Sequence, residues 1–160
     1  MFNLQPMPEC KQSMITIDSF TDADQPAWQE LARAYKAFYL TGQTDSEYQA
    51  TWQRLRAGEQ VHGWAARLDG RLVGIVHCLF HASAWTDDVC YLQDLFVAEA
   101  ARGQGVAAAL IERVAQAARE RGAPRLYWLT QDHNARARAL YDRVAQNRGF
   151  IRYDYVLGPT

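Results

Sequence analysis

Tyr91-Leu92-Gln93-Asp94-Leu95-Phe96-Val97-Ala98-Glu99-Ala100-Ala101-Arg102-Gly103-Gln104-Gly105-Val106-Ala107 is the stretch whose reading decides the fold. An apolar run that reads as a strand passes through a short polar turn into two closely spaced glycines. The apolar-rich segment from Val106 to Arg121 then has the length and composition of a helix. Strand, glycine turn and helix start make an anion cradle. The first four N–H groups of a helix have no partner inside it, and the aligned peptide dipoles place about half a positive charge there. Gly103 and Gly105 let a phosphate reach the backbone without meeting a Cβ, and Arg102 adds a permanent cation. The other reading of the same residues is a strand-to-helix turn that uses glycine for tight packing.

The rest of the chain narrows the choice. Its 160 residues fit one domain. With 17 basic and 18 acidic residues and no long run of one sign, nothing favours nucleic acid or an anionic membrane as main partner. Cys10, Cys78 and Cys90 are odd in number and lack Cys-x-x-Cys spacing, which points away from a disulfide framework or a zinc site and towards a reducing cytoplasm without a bound metal. No secretory signal or stretch of membrane-spanning length is evident.

Residues 1–13 show no period and read as a flexible tail, leaving 14–160 as the domain. Met14 to Ile17 reads as a strand. Ala23 to Leu40 repeats Trp28, Leu31, Ala32, Tyr35 and Phe38 at helical intervals, and Thr44-x-x-Glu47 is a capping-box spacing that opens a second helix ending at Gly58. The aromatics on these helices read as core, while Thr41-Gly42-Gln43 between them stands where it can border a substrate opening. Val61 to Leu68 and Leu72 to Ala84 read as strands joined by an Asp69-Gly70 hairpin, followed by a strand from Val89 to Val97. After the glycine-started helix come a buried strand, Arg125 to Thr130, a helix, Asn134 to Val144, and a closing strand, Phe150 to Leu157. The expected architecture is a mixed α/β sheet, antiparallel in its N-terminal half and parallel around the glycine turn.

Three phosphate-binding classes use such a turn. A P-loop needs Gly-Lys-Ser/Thr, which is missing here. A dinucleotide fold matches loosely through Gly103-x-Gly105-x-x-Ala108, but it places an acidic residue near the end of the next strand, where Leu129-Thr130-Gln131 stands, and the upstream hairpin is foreign to it. The third pattern, Gln/Arg-x-x-Gly-x-Gly/Ala, holds the pyrophosphate of coenzyme A and appears here as Arg102-x-x-Gly105-x-Ala107.

With Tyr91-Leu-x-Asp-Leu-Phe-Val97 before the turn, Asn134-x-x-Ala137-x-x-Leu140-Tyr141 after the parallel strand and Gly149-Phe150 before the last one, the chain resembles the GNAT acetyltransferase superfamily from Ile15 through Tyr155. It looks most similar to the histone and polyamine acetyltransferase branch. The resemblance implies the GNAT fold, with a splayed parallel strand pair at the coenzyme site, and direct transfer of an acetyl group from acetyl-coenzyme A to a primary amine of a small molecule or a protein. It also implies a homodimer.

By the same resemblance Leu95, Phe96 and Val97 pair with the pantetheine arm, and the turn from Arg102 through Gly103, Gln104, Gly105 and Val106 to Ala107 receives the pyrophosphate. Asn134 contacts the coenzyme, and Tyr141, beside it, is the general acid that protonates the departing sulfur. Polyamine acetyltransferases carry a glutamate where this chain has Gln93, and an amide accepts no proton at neutral pH. Asp94 is therefore the candidate base or substrate contact, although strand alternation sends it to the opposite face from Gln93 unless the strand bulges. Gln93, Asp94 and His81 are the expected acceptor contacts, and a water chain to His77, His81 or Asp87 is another route for the amine proton. A non-catalytic acyl-coenzyme A sensor, suggested by Gln93, and a dinucleotide-dependent oxidoreductase remain as alternatives.

Overall fold

The computed structural model describes residues 13–158, so the expected N-terminal tail, apart from Ser13, lies outside the described residues, as does Cys10. The chain divides into two units, one ending at Trp128 and one beginning at Leu129.

The first unit is built on one sheet. Strand β1 (Ile15–Ser19), β2 (Val61–Leu68), β3 (Arg71–His81) and β4 (Val89–Val97) are antiparallel neighbours in that order, and β5 (Leu126–Tyr127) pairs parallel to β4. Asp69 and Gly70 both take positive φ, 51° and 83°, the backbone that a two-residue hairpin needs to match strand twist. Helix α1 (Gln25–Phe38) and helix α2 (Asp45–Ala57) precede β2, and α3 (Val106–Glu120) follows β4.

Each helix forms where local chemistry marks its ends. The Thr44 hydroxyl accepts from the Glu47 N–H while the Glu47 carboxylate accepts from the Thr44 N–H, and Gly58 closes α2 in the left-handed conformation at φ 63°. A short 3-10 turn, Asp22–Asp24, leads into α1 and is tied to β2 by Arg67, whose guanidinium meets both Asp24 oxygens at 2.8 and 2.9 Å. One face of the sheet packs against α1 and α2 through Phe20, Trp28, Leu31, Tyr48, Trp52, Ala65 and Ile75. Each large side chain so buried contributes about 1.5–3 kcal/mol. On the other face, α3 buries Val106, Leu110, Ile111 and Val114 at helical spacing. A Cβ at Gly74 would sit 3.2 Å from atoms of both Leu110 and Val106, so glycine there sets how closely α3 approaches β3.

Two expected strands differ. The segment Arg125 to Thr130 contributes only Leu126–Tyr127, half-buried, because its ladder with β4 stops at Tyr91, two residues before β4 changes register. In the second unit, helix α4 (Ala135–Val144) forms, but Phe150 to Leu157 is not a strand. Its apolar side chains, Phe150, Ile151, Tyr153, Tyr155 and Leu157, are exposed, and among the described residues of that unit no strand offers it a ladder. Ala137, Leu140 and Tyr141 of α4 are half-buried rather than buried, and Val144, expected to face inward, is exposed.

Candidate active site

The glycine turn has the form its sequence implies. Gly103 and Gly105 take φ of 77° and 86°, a region costly for side-chain-bearing residues, and Gly105 is the N-cap of α3, which no side chain caps. No atom lies within 4 Å of where a Cβ would stand at Gly103, and only Ile15 Cδ1 reaches 4.0 Å at Gly105. The α3 amides therefore open onto a backbone concavity, the arrangement that receives a phosphate. Arg102 donates from Nε to the Val97 carbonyl at 3.1 Å and stacks over the Phe96 ring, which leaves its terminal N–H groups for an anion. Gln104 reaches back to the Ala100 carbonyl at 3.4 Å. Upstream, the side of β4 that faces β5 has ladder partners only at Cys90 and Tyr91, so Leu95, Phe96 and Val97 run beyond the reach of β5. A diphosphate and an amide-bearing arm fit this combination of free strand edge and helix start.

Strand β4 carries an extra residue. His77 pairs with Asp94 and Cys78 with Leu92, so Gln93 has no partner of its own on β3. Such a bulge breaks the alternation of faces. Gln93 and Asp94 consequently both line one cavity of about 210 Å³ enclosed by α1, α2 and the sheet. Lys36 and Arg54 line it from the two helices, and Gln43, from the loop between them, lines it as well.

At the floor of this cavity lies a chain of hydrogen bonds. The Trp28 indole donates from Nε1 to His77 Nε2 at 3.0 Å, and His77 Nδ1 meets Asp94 Oδ2 at 2.9 Å. Trp28 and His77 are 1% and 6% exposed, so neither bond competes with bulk water. Burial alone would raise the Asp94 carboxyl, but the bond from His77 and its electrostatic attraction, then the bond from the Tyr35 hydroxyl and the Lys36 charge, bring it below the ordinary carboxylate range. Tyr35 moves the other way: burial first, and then the Asp94 charge, push its phenol far above the usual range. Asp94 is thus an anion held by hydrogen-bond donors and near a lysine.

Other expected residues lie elsewhere. His81 ends β3, with Nδ1 on the Ala82 carbonyl and Nε2 on the Tyr127 hydroxyl, both at 2.9 Å, and does not line the cavity. Asp87 is exposed in the turn before β4. Cys78, hydrogen-bonded to Cys90 and buried, has its thiol pushed far up, which removes it as a nucleophile. In the second unit, Asn134 is the N-cap of α4, its side-chain oxygen accepting from the Ala137 N–H at 3.2 Å, and Tyr141 lies two turns further on. Among the described residues no group of three or more His, Cys, Asp or Glu is placed to hold a metal ion. No helix of those residues is long and apolar enough to cross a membrane. The bond between Trp28 and His77 escaped sequence reasoning, which took Trp28 as core and His77 only as a water-chain route, because the two stand 49 positions apart.

Comparison with known proteins bears on both halves of this arrangement. A family model described as the acetyltransferase (GNAT) family matches residues 28–145. The chain is 33% identical over 144 residues to a D-amino-acid N-acetyltransferase of Saccharomyces cerevisiae, covering 87% of this chain and 89% of the relative. It is also 33% identical over 84 residues to a thialysine N-epsilon-acetyltransferase of Caenorhabditis elegans, about half of each chain at 52%. Among solved structures, an aminoglycoside N-acetyltransferase in complex with coenzyme A superposes with a TM-score of 0.73 at 19% identity, over 94% of this chain and 97% of that one.

Proposed function

The chain belongs to the GNAT family of acetyltransferases and is an acetyl-coenzyme A-dependent N-acetyltransferase; on that premise we propose that its acceptor is the primary amine of a small, amino-acid-like molecule bound against Asp94. The observation that carries this reading is the β4 bulge, which turns Gln93 and Asp94 together into a cavity alongside the free strand edge. At about 210 Å³ the cavity is smaller than the roughly 300 Å³ and upwards that takes drug-sized ligands. Asp94 supplies the counter-charge for an ammonium, and Lys36 and Arg54 supply one for a carboxylate, a pairing that suits a zwitterion better than a polyamine. The activity of the yeast relative on D-amino acids supports the same class.

Acetyl-coenzyme A supplies an electrophilic thioester carbonyl. In this reading, the amides from Arg102 to Ala107 hold its pyrophosphate, the backbone of Leu95 to Val97 pairs with its pantetheine arm, and Asn134 adds a contact beside α4. The amine, its ammonium proton already lost to solvent, forms the new C–N bond as the C–S bond breaks; the Tyr141 hydroxyl gives its proton to the departing sulfur, and the proton that the acylated nitrogen releases restores that hydroxyl through solvent. Asp94 gathers and orients the amine, with Gln93 as a neutral hydrogen-bonding neighbour. The exposed apolar residues from Phe150 to Leu157 support a homodimer that covers them, and the free thiols of Cys78 and Cys90 support a cytoplasmic location.

A thiol-release assay with acetyl-coenzyme A and a panel of D- and L-amino acids, their decarboxylated amines, polyamines and a lysine peptide tests this. Turnover confined to carboxylate-bearing amines is expected. Preference for polyamines or the peptide overturns the acceptor class, and coenzyme A binding without turnover of any amine returns the sensor reading.

A further inference from the structure

The anion at the cavity floor is held through a chain of two hydrogen bonds, from Trp28 to His77 and from His77 to Asp94. Trp28 Nε1–H can only donate, so His77 Nε2, 3.0 Å away and buried, must accept. A neutral imidazole that accepts at Nε2 carries its proton on Nδ1, the atom 2.9 Å from Asp94 Oδ2. An imidazolium would set a second N–H against the indole N–H.

We propose that Trp28 and His77 are positioning residues for acetyl transfer: the indole fixes His77 as the neutral Nδ1–H tautomer, and that tautomer holds Asp94 as the carboxylate that captures the acceptor ammonium. The inference rests on the reading of Asp94 as the amine contact. It removes His77 from any proton relay, since its one acceptor nitrogen is occupied by the indole. The surroundings bear on the charge of the ring. Facing it or Asp94 are Tyr35, Lys36 and Tyr39 from α1, and Tyr48 and Arg54 from the cavity wall of α2, while β2 presents only Gly63 opposite His77. Lys36 and Arg54 oppose a positive charge on the ring and the Asp94 carboxylate favours one, so the indole N–H, which needs an acceptor, decides for the neutral form. Phe20 and Trp28 pack beside it with tilted rings at 6.3 and 6.0 Å between centroids, and His77 is buried.

The first test reads the tautomer without turnover. In histidine-labelled protein, long-range nitrogen–proton spectra are recorded near neutral pH, and the His77 signal is identified by its loss in His77→Asn. An Nδ1–H pattern is expected in the unsubstituted protein, with the Nε2–H tautomer appearing in Trp28→Phe. An Nε2–H or doubly protonated pattern without any substitution overturns the proposal even if Asp94 does bind the amine.

The second test is kinetic. The Asn amide places an N–H₂ where Nδ1–H stood, so His77→Asn should keep the low acid limb of kcat/KM for the amine. His77→Leu should move that limb to higher pH and lower kcat/KM about tenfold or more, the effect of losing a hydrogen bond to a charge, with the KM for acetyl-coenzyme A unchanged. If both variants move the limb equally, His77 acts only by filling space and the proposal fails.

Discussion

Asp94→Asn isolates the charge at the cavity floor while keeping its shape. The Asn side-chain oxygen can still accept from His77 Nδ1–H, and the residue stays where the bulge puts it, so the fold should survive. Two unit charges about 4 Å apart attract by ~4 kcal/mol at an effective dielectric constant near 20, an upper bound here. Lys36, close enough to depress the Asp94 carboxyl, offsets part of this, and a hydrogen bond to a charged group contributes about 1.5–3 kcal/mol net. Taking ~2–3 kcal/mol at 1.36 kcal/mol per decade, kcat/KM for the amine should fall roughly 30- to 150-fold. The loss should sit mainly in the amine KM and leave the acetyl-coenzyme A KM alone, as initial rates with each substrate varied in turn would show. The pH profile carries a second signature. Because the folded Asp94 carboxyl lies below its ordinary range, the anion is fully present above the usual carboxylate pKa and is lost only as pH falls through the depressed value. The acid limb it causes in the unsubstituted enzyme should vanish in Asp94→Asn. An unchanged amine kcat/KM, or a defect confined to acetyl-coenzyme A, would refute Asp94 as the amine contact.

Tyr141→Phe should leave coenzyme A binding intact by calorimetry while slowing thiol release, and an unchanged rate would remove Tyr141 from the acid role. Gly103→Val has no neighbour to strike, yet it forces a β-branched residue to φ 77° and puts a side chain in the anion's path. Coenzyme A affinity should drop at least tenfold, a loss of about 1.4 kcal/mol or more, measurable by titration. Thr44→Ala removes one capping acceptor and should cost ~1 kcal/mol, roughly 2–4 °C in melting temperature by calorimetry, without changing the KM of either substrate.

The two halves of the proposed site were unequally legible in the sequence, for a physical reason. The coenzyme side is written in backbone: two glycines at positive φ and a helix start lie within a few consecutive residues, so local pattern captures them. The acceptor side is written in side chains from α1, α2, β3 and β4, and nothing local joins Trp28 to His77. The bulge at Gln93 shows the same limit, since an extra residue in one strand is defined only against its partner, and Cys78↔Leu92 beside His77↔Asp94 appears only once β3 and β4 pair. The closing segment failed differently. Phe150 to Leu157 has the alternation of a strand, but alternation states only which side chains share a face, and a ladder also needs an edge to pair with. Among the described residues of its own unit there is none.

Gln93 sharpens what the bulge does for chemistry. A carboxylate at both bulge positions would place like charges side by side, raise one of their pKa values and so create a base near neutrality. This chain instead has an amide beside a carboxylate that His77 and Tyr35 hold below the ordinary range. Such a carboxylate captures an ammonium well and keeps an abstracted proton badly, so in the proposed mechanism the amine proton leaves through solvent at the cavity mouth. Gln93→Glu should reverse this. With the second carboxylate in place, the kcat profile should gain a new ionisation shifted upward from the carboxylate range, and turnover below neutral pH should rise. A profile superimposable on that of the unsubstituted enzyme would mean that Gln93 does not face the reacting amine.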